Sequence, residues 1–370
     1  MSKSRRNVVL LVAAVLLIAL ALPAFATGAG EKGAKGGKMY IPVISKGFQH
    51  QFWQTVKLGS EDAAKQYGVD ITFEGPPSEA DIQPQVQMLV NAMAKSPAAI
   101  ALAALDTNSV MDQLNEAIRR KIPIIGFDSG VPKAPKGSIY ATAATDSYAA
   151  AGVAAERMFP AIKDKVMAAT DANPVTIADF NQDATSTSVT LRGKGFRDKM
   201  IQLITQAGRS KADIKVTGNP AYIAADSPTG GKAIIIDVVV PATPKEIDIT
   251  NTAAALLNRV QGDNIVGIFC SNEGSARAVL SSTNDGSALP TQYPGLVVIG
   301  FDAGKVQKAA VKSKYFFGAI TQDPYQIGFK AVELAVKAVK GEKVADVDTG
   351  AKFYDATNMD QTEIARLLYD

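Results

Sequence analysis

Short apolar runs alternate with amphipathic stretches along the chain from Met39 onward. Residues 39–45 form one such run and predict a buried strand. Phe52, Val56, Ala63 and Tyr67 then fall on one helical face, and Gly68 is placed to end the helix. Residues 69–73 predict a second strand, and Val86, Leu89, Val90 and Met93 follow the i, i+3, i+4, i+7 spacing of a second helix. A third strand is expected over 98–105, a third helix through Val110, Leu114, Ala117 and Ile118, and a fourth strand over 123–127. Strands alternating with helices at this spacing predict a parallel sheet with helices on both faces.

The pattern then restarts. Strands are expected over 175–180, 233–240, 265–270 and 296–301, and helices over 193–206 and 252–260. Two segments nearly repeat: Ile124-Ile125-Gly126-Phe127-Asp128-Ser129-Gly130 and Val298-Ile299-Gly300-Phe301-Asp302-Ala303-Gly304. Each is an apolar strand that ends in Gly-Phe-Asp, and each follows a strand-helix unit. The chain therefore reads as two similarly built α/β lobes, each a doubly wound parallel sheet. In open parallel sheets, ligands bind beyond the carboxyl ends of the strands. Asp128 and Asp302 sit at such ends, so facing lobes would bring both carboxylates to a shared cleft. The other reading of each is a cap for the turn that follows it.

Composition narrows the function. The chain has 370 residues, 47% of them apolar, which suits two globular domains. Lys3, Arg5 and Arg6 precede an apolar stretch over 8–22, then Pro23, then Ala24-Phe25-Ala26. That order predicts a secretory signal peptide over 1–26, and a Gly/Lys-rich flexible leader follows over 27–38. No cysteine lies near the cleavage site, so a lipid anchor is not expected, and the protein should be periplasmic. Beyond the three N-terminal cations the chain carries 36 basic against 36 acidic residues, with none of the basic concentration a nucleic-acid binder needs. The single cysteine, Cys270, follows an apolar run and reads as a buried structural thiol. One histidine, His50, leaves little for a catalytic triad or a metal site. The glycine-rich phosphate and dinucleotide motifs and the G-x-S-x-G elbow are all missing. Neither an enzyme nor a bound cofactor or metal is expected.

Further segments extend the pattern: Phe52-Trp53, Ala143-Ala144-Thr145-Asp146, Arg192-Gly193-Lys194-Gly195-Phe196, Ser271-Asn272-Glu273-Gly274 and Gln322-Asp323-Pro324-Tyr325-Gln326-Ile327-Gly328. In this order and spacing, across residues 39–343, the chain resembles the type I periplasmic binding proteins of ABC transporters, in their ribose-binding-like branch. The resemblance implies two lobes joined by three crossings that close like a hinge, here near 144–147, 322–324 and 344–348. It implies an N-terminal lobe of 39–144 plus 323–346 and a C-terminal lobe of 145–322 plus 347–370. It also implies a monosaccharide ligand and an ABC permease in the inner membrane as partner. No nucleic-acid partner is implied, and the protein should be a monomer.

The resemblance also suggests the residues that line the cleft. Lys46, His50, Phe52 and Trp53 stand where the family places a polar residue and aromatic rings. Ring faces suit the C–H faces of a sugar, while polar groups fix its hydroxyls. Asp128 matches the first-lobe carboxylate, able to chelate adjacent hydroxyls. Arg192 matches the second-lobe arginine, whose fork of donors complements sugar oxygens. Asn272 and Asp302 match second-lobe contacts at strand ends, and Gln322 a hinge-proximal amide. Trp53 also reads as a core residue of the first helix, His50 as its cap, and Lys46 as a solvated rim residue.

Two departures from ribose binders stand out. Ala103-Ala104 replace an asparagine after the third strand, which leaves Asp106 as the nearest polar group. Val240-Pro241-Ala242-Thr243-Pro244 carries no second-lobe aromatic. The stretch 219–232 is longer and richer in Gly, Pro and Ser than that region of the family. Ribose is therefore not the default ligand, and Lys46 could favour an anionic one. The alternative function keeps the fold but takes a polyol, an autoinducer furanone or a nucleoside, for uptake or for a chemosensor. A sugar-responsive repressor shares the core, but a signal peptide stands where its DNA-binding helices would be.

Overall fold

A computed structural model describes residues 38–48 and 50–369. The signal peptide expected over 1–26, and the leader except Lys38, lie outside those residues. The chain begins with β1 (Tyr40–Ile44), α1 (Gln51–Tyr67), β2 (Asp70–Glu74), α2 (Ile82–Ala94), β3 (Ile100–Leu102), α3 (Met111–Arg120), β4 (Ile124–Phe127) and β5 (Ile139–Ala144). It continues through α4 (Ser147–Ala168), β6 (Val175–Phe180), α5 (Thr187–Gln206), β7 (Ile214–Gly218), β8 (Ile234–Val239), α6 (Glu246–Asn258) and β9 (Ile265–Cys270). Next come α7 (Glu273–Ser281), a short α8 (Leu289–Gln292), β10 (Val297–Phe301), α9 (Lys305–Lys312) and β11 (Gly318–Gln322). The last elements are α10 (Pro324–Val339), β12 (Val347–Asp348), β13 (Ala351–Tyr354) and α11 (Thr362–Ala365).

The strands form two sheets. The first runs β12-β5-β4-β3-β1-β2 and the second β13-β11-β10-β9-β6-β8-β7. All pairings are parallel except β13 against β11. Helices cover both faces, which is why central strands such as β6 and β9 are buried at every residue and read as continuous apolar runs. Cys270 ends β9 fully buried, and burial raises its thiol pKa far above the usual range. The architecture is α/β with two lobes, each built on a largely parallel sheet.

Three segments join the sheets. The chain leaves the first sheet between β5 and α4 and returns to that lobe between β11 and α10, which packs on α1 and the first sheet. The backbones of α1 and α10 touch: a Cβ at Gly59 would lie 2.0 Å from the Tyr325 carbonyl oxygen, and one at Gly328 equally close to that of Val56. Asp146 and Asp323 cap α4 and α10 by accepting from Ala149 N and Gln326 N, so two crossings double as helix starts. The third crossing is Thr349-Gly350. The boundary expected between 346 and 347 therefore falls two residues early, because Val347 and Asp348 still pair with Ala143 and Ala144 of β5. The first and third crossings are tied together: Asp348 Oδ1 accepts from Asp146 N at 3.0 Å and Gly350 N at 2.8 Å.

Other boundaries also move. The third strand shortens to β3, although Ala103 N still donates to the Ile44 carbonyl of β1 at 2.9 Å. The helices expected from 193 and 252 start earlier, at Thr187 and Glu246. The long stretch after β7 folds back on the second lobe: Val216 N donates to the Pro228 carbonyl at 2.7 Å, and buried Tyr222 donates its hydroxyl to the Asp183 carbonyl.

Candidate functional site

The two Gly-Phe-Asp repeats end strands of the two sheets. At both ends the Asp turns into the left-handed region, with φ of +53° at Asp128 and +75° at Asp302, a conformation Asp tolerates better than most residues. Each Asp amide still bonds to the next strand, Asp128 N to the Ala143 carbonyl and Asp302 N to that of Ile320. The turn directs both side chains off the sheet into one place.

Twelve residues enclose a cavity there: Lys46, His50, Phe52, Trp53, Glu79, Asp128, Val189, Arg192, Asn272, Glu273, Asp302 and Gln322. Nine of the ten residues expected at the ligand site are among them. Lys46 follows β1 and is buried rather than solvated. Its ammonium lies 2.9 Å from Asp128 Oδ2 and donates to Ser186 and Ser188 of the other lobe at 3.3 and 3.1 Å. Burial lowers its pKa, but Asp128 beside it outweighs that and holds it above the ordinary value. The ammonium is already matched in this way by a carboxylate.

His50 occupies the N-cap position of α1 but makes no capping bond. Its ring stands between two carboxylates, with Nε2 4.0 Å from Glu79 Oε1 and Nδ1 3.9 Å from Glu273 Oε1. Those distances are too long for hydrogen bonds, and neither nitrogen has a protein partner. Burial lowers the His50 pKa against the opposing pull of Glu79. Trp53 is both core and cavity wall: 1% exposed, it donates Nε1 to Glu79 Oε1 at 2.8 Å and meets Phe52 edge-on at 4.9 Å.

The second lobe supplies the opposite wall. Asp302 Oδ1 accepts from Gln322 Nε2 at 2.7 Å and Oδ2 from Glu273 N at 3.0 Å. Arg192 lies with its guanidinium 4.0 Å above the Phe301 ring, 3.8 Å from Asp302 Oδ2, and donates to the Ser271 carbonyl. Its Nε is buried with no protein partner. Burial raises the Asp302 pKa against the opposing pull of Arg192. Asn272 caps α7 through Ser275 N and donates Nδ2 to Gln182 Oε1 at 2.8 Å.

Asp106 does not join the cavity. Its Oδ1 accepts from Asn108 N, Ser109 N and Ser109 Oγ at 2.8 to 2.9 Å, so it closes the turn after β3. Local donors already claim that oxygen, so the structure places Asp106 outside the cavity expected to hold the ligand. Glu79 and Glu273 were missed. Glu79 lies in a loop after Pro76-Pro77 with no periodic pattern to mark it. Glu273 follows Asn272 at a strand end, the one signal that could have found it. Glu79 accepts from Gln182 of the second lobe at 2.9 Å. Burial alone would raise the Glu79 pKa, but Lys46 and the other partners bring it below the ordinary value.

The cavity has about 20 Å³ of free volume, room for one or two waters, because side chains of both lobes meet across it. A volume of that size does not admit a sugar ring. A second chamber of about 150 Å³ adjoins at His50, walled by Pro77, Ser78, Gln182, Pro244, Ile249, Gly274 and Arg277 among others. Gln182 reaches Asn272 and Glu79 by passing close over Gly274, where a Cβ would lie 2.0 Å from its Oε1. Among the described residues no His/Cys/Asp/Glu group could hold a metal, and no helix is long and apolar enough to cross a membrane.

Comparison with known proteins agrees with this geometry. A family model of the periplasmic binding protein domain matches residues 41–343. The D-allose-binding periplasmic protein of Escherichia coli K12 is 25% identical over 319 residues, 84% of this chain and 88% of its own. Among solved structures, a Brachyspira murdochii protein described as an ABC transporter, LacI family transcriptional regulator, is 42% identical with a TM-score of 0.74, covering 90% of this chain and 99% of its own. An Agrobacterium vitis ABC transporter solute-binding protein with bound D-fucose is 28% identical with a TM-score of 0.71, covering 89% and 100%. The chain therefore belongs to the type I periplasmic binding proteins, in the ribose- and sugar-binding branch of ABC-transporter solute-binding proteins, a family that binds its ligands rather than transforming them.

Proposed function

We propose that this protein captures a monosaccharide between its lobes by hinge closure and presents it to an ABC permease in the inner membrane. The observation that carries the reading is the convergence of Asp128, Arg192, Asp302 and Gln322 with the rings of Phe52 and Trp53 in one buried cavity between two lobes. Carboxylates and a guanidinium in that setting pair with vicinal hydroxyls, and the rings face C–H surface. Relatives described with D-allose, D-fucose and D-arabinose support a saccharide as the ligand class. We further propose that the chain is exported through a signal peptide cleaved after Ala26, is not lipid-anchored, and works as a monomer. Nucleic acid is not a partner in this reading.

Closure follows from population shift: a ligand that bonds both walls at once favours the closed arrangement by its differential affinity. Trp53 reports it, because its indole bonds to Glu79, which Gln182 of the other lobe also holds. A titration with the cognate sugar should change Trp53 emission saturably. A sugar that binds by calorimetry without moving Trp53 emission would refute closure at this site.

A further inference from the structure

The cavity holds more negative charge than its own cations match. Glu79, Asp128, Glu273 and Asp302 line it against Lys46 and Arg192. Lys46 is committed to Asp128 at 2.9 Å, and Arg192 lies nearest Asp302 at 3.8 Å. That leaves Glu79, which Lys46 serves only in part, and Glu273, one from each lobe, and both flank the His50 ring. In the chamber beyond, Arg277 pairs with Glu246 at 3.2 Å, and its pull on Glu273 is outweighed by burial and Asp302. The carboxylate of Glu273 rests against Gly304 at the head of α9, whose helix end supplies only partial positive charge. Glu273 Oε2 is buried with no protein partner.

Resting on the saccharide reading above, we propose that the ligand carries a protonated amine, an amino sugar or aminated polyol, whose ammonium is held beside His50 between Glu79 and Glu273. An ammonium supplies three donors to a place that offers carboxylate oxygens and an acceptor nitrogen of His50. It also matches the charge that burial otherwise penalises. Without such a cation, burial, aided by Asp302, pushes the Glu273 pKa up to about 8, so that site must otherwise take up a proton. The lobes contribute one carboxylate each, so the same cation rewards closure.

The test is calorimetric titration of the native protein near neutral pH with D-glucosamine, D-galactosamine and D-mannosamine. The parent hexoses and the N-acetyl derivatives, which keep the bulk but lose the charge, run alongside. At least one amine should bind roughly tenfold or more tightly than both its parent and its N-acetyl form, as a charge-assisted contact requires. Glu273→Gln should narrow that ratio. A parent hexose that binds the native protein as tightly as its amine overturns the inference and leaves the saccharide reading standing. Failure of every neutral and amino saccharide overturns both.

Discussion

Asp128 and Asp302 occupy equivalent positions in the two lobes: each ends a Gly-Phe-Asp strand in the left-handed region, and both carboxylates enter one cavity. The equivalence stops at their partners. Asp128 meets the ammonium of Lys46, while Asp302 takes Gln322, the Glu273 amide and the more distant Arg192.

Asp128→Asn keeps a residue that tolerates positive φ and removes only the charge. It leaves the Lys46 ammonium buried without its counter-ion, a change that costs about 3 kcal/mol or more when a buried pair is broken from one side. Thermal or denaturant unfolding should show that loss. The double variant Asp128→Asn with Lys46→Met should recover part of it, because the orphaned charge is gone.

Gln182→Ala removes the amide that ties Glu79 of the first lobe to Asn272 of the second. Each lobe keeps its own core, so unfolding should change little. Sugar affinity should fall by about 1.5–3 kcal/mol, the range for a hydrogen bond to a charged group, measured by calorimetry. Small-angle scattering should show the ligand-free variant more open than the native protein.

Arg192→Lys tests whether the planar fork matters. The guanidinium stacks on Phe301, bonds the Ser271 carbonyl and leaves Nε for a ligand, and a lysine cannot do all three. Sugar binding should weaken at least roughly tenfold although the charge is kept. An unchanged affinity would remove Arg192 from the site.

The buried acids set a pH dependence. Burial raises Glu273 from 4.5 to about 8 and Asp179 from 3.8 to about 8. Between those limits the folded state binds more protons than the unfolded one, so each contribution is fully present at low pH and is lost as pH rises toward 8. Glu273→Gln should flatten part of the decline in melting temperature between pH 5 and 8, measured as the difference from the native protein.

Much of this was legible in the sequence because parallel strands buried on both faces print themselves as apolar runs, and the repeated Gly-Phe-Asp fixes where they end. Nine cavity residues follow from those ends and from the family pattern. What was illegible lacks contrast. In α4, Ala149, Ala150, Ala151, Ala154 and Ala155 blur the helical period. The two-residue β12 is too short to signal, so the last crossing was misplaced. Spacing alone does not reveal that local donors hold Asp106 Oδ1 in the turn after β3. Glu79 sits in a loop, and only tertiary structure brings it to Trp53 and Gln182.

The most direct test of the central claim is calorimetric titration of the purified native protein against D-pentoses, hexoses, 6-deoxyhexoses, ketohexoses and amino sugars, with nucleosides and amino acids as controls. The account predicts saturable one-to-one binding of at least one saccharide, accompanied by a rise in melting temperature and abolished or sharply weakened in Asp302→Asn. Binding confined to a nucleoside or an amino acid, with every saccharide silent, would contradict it.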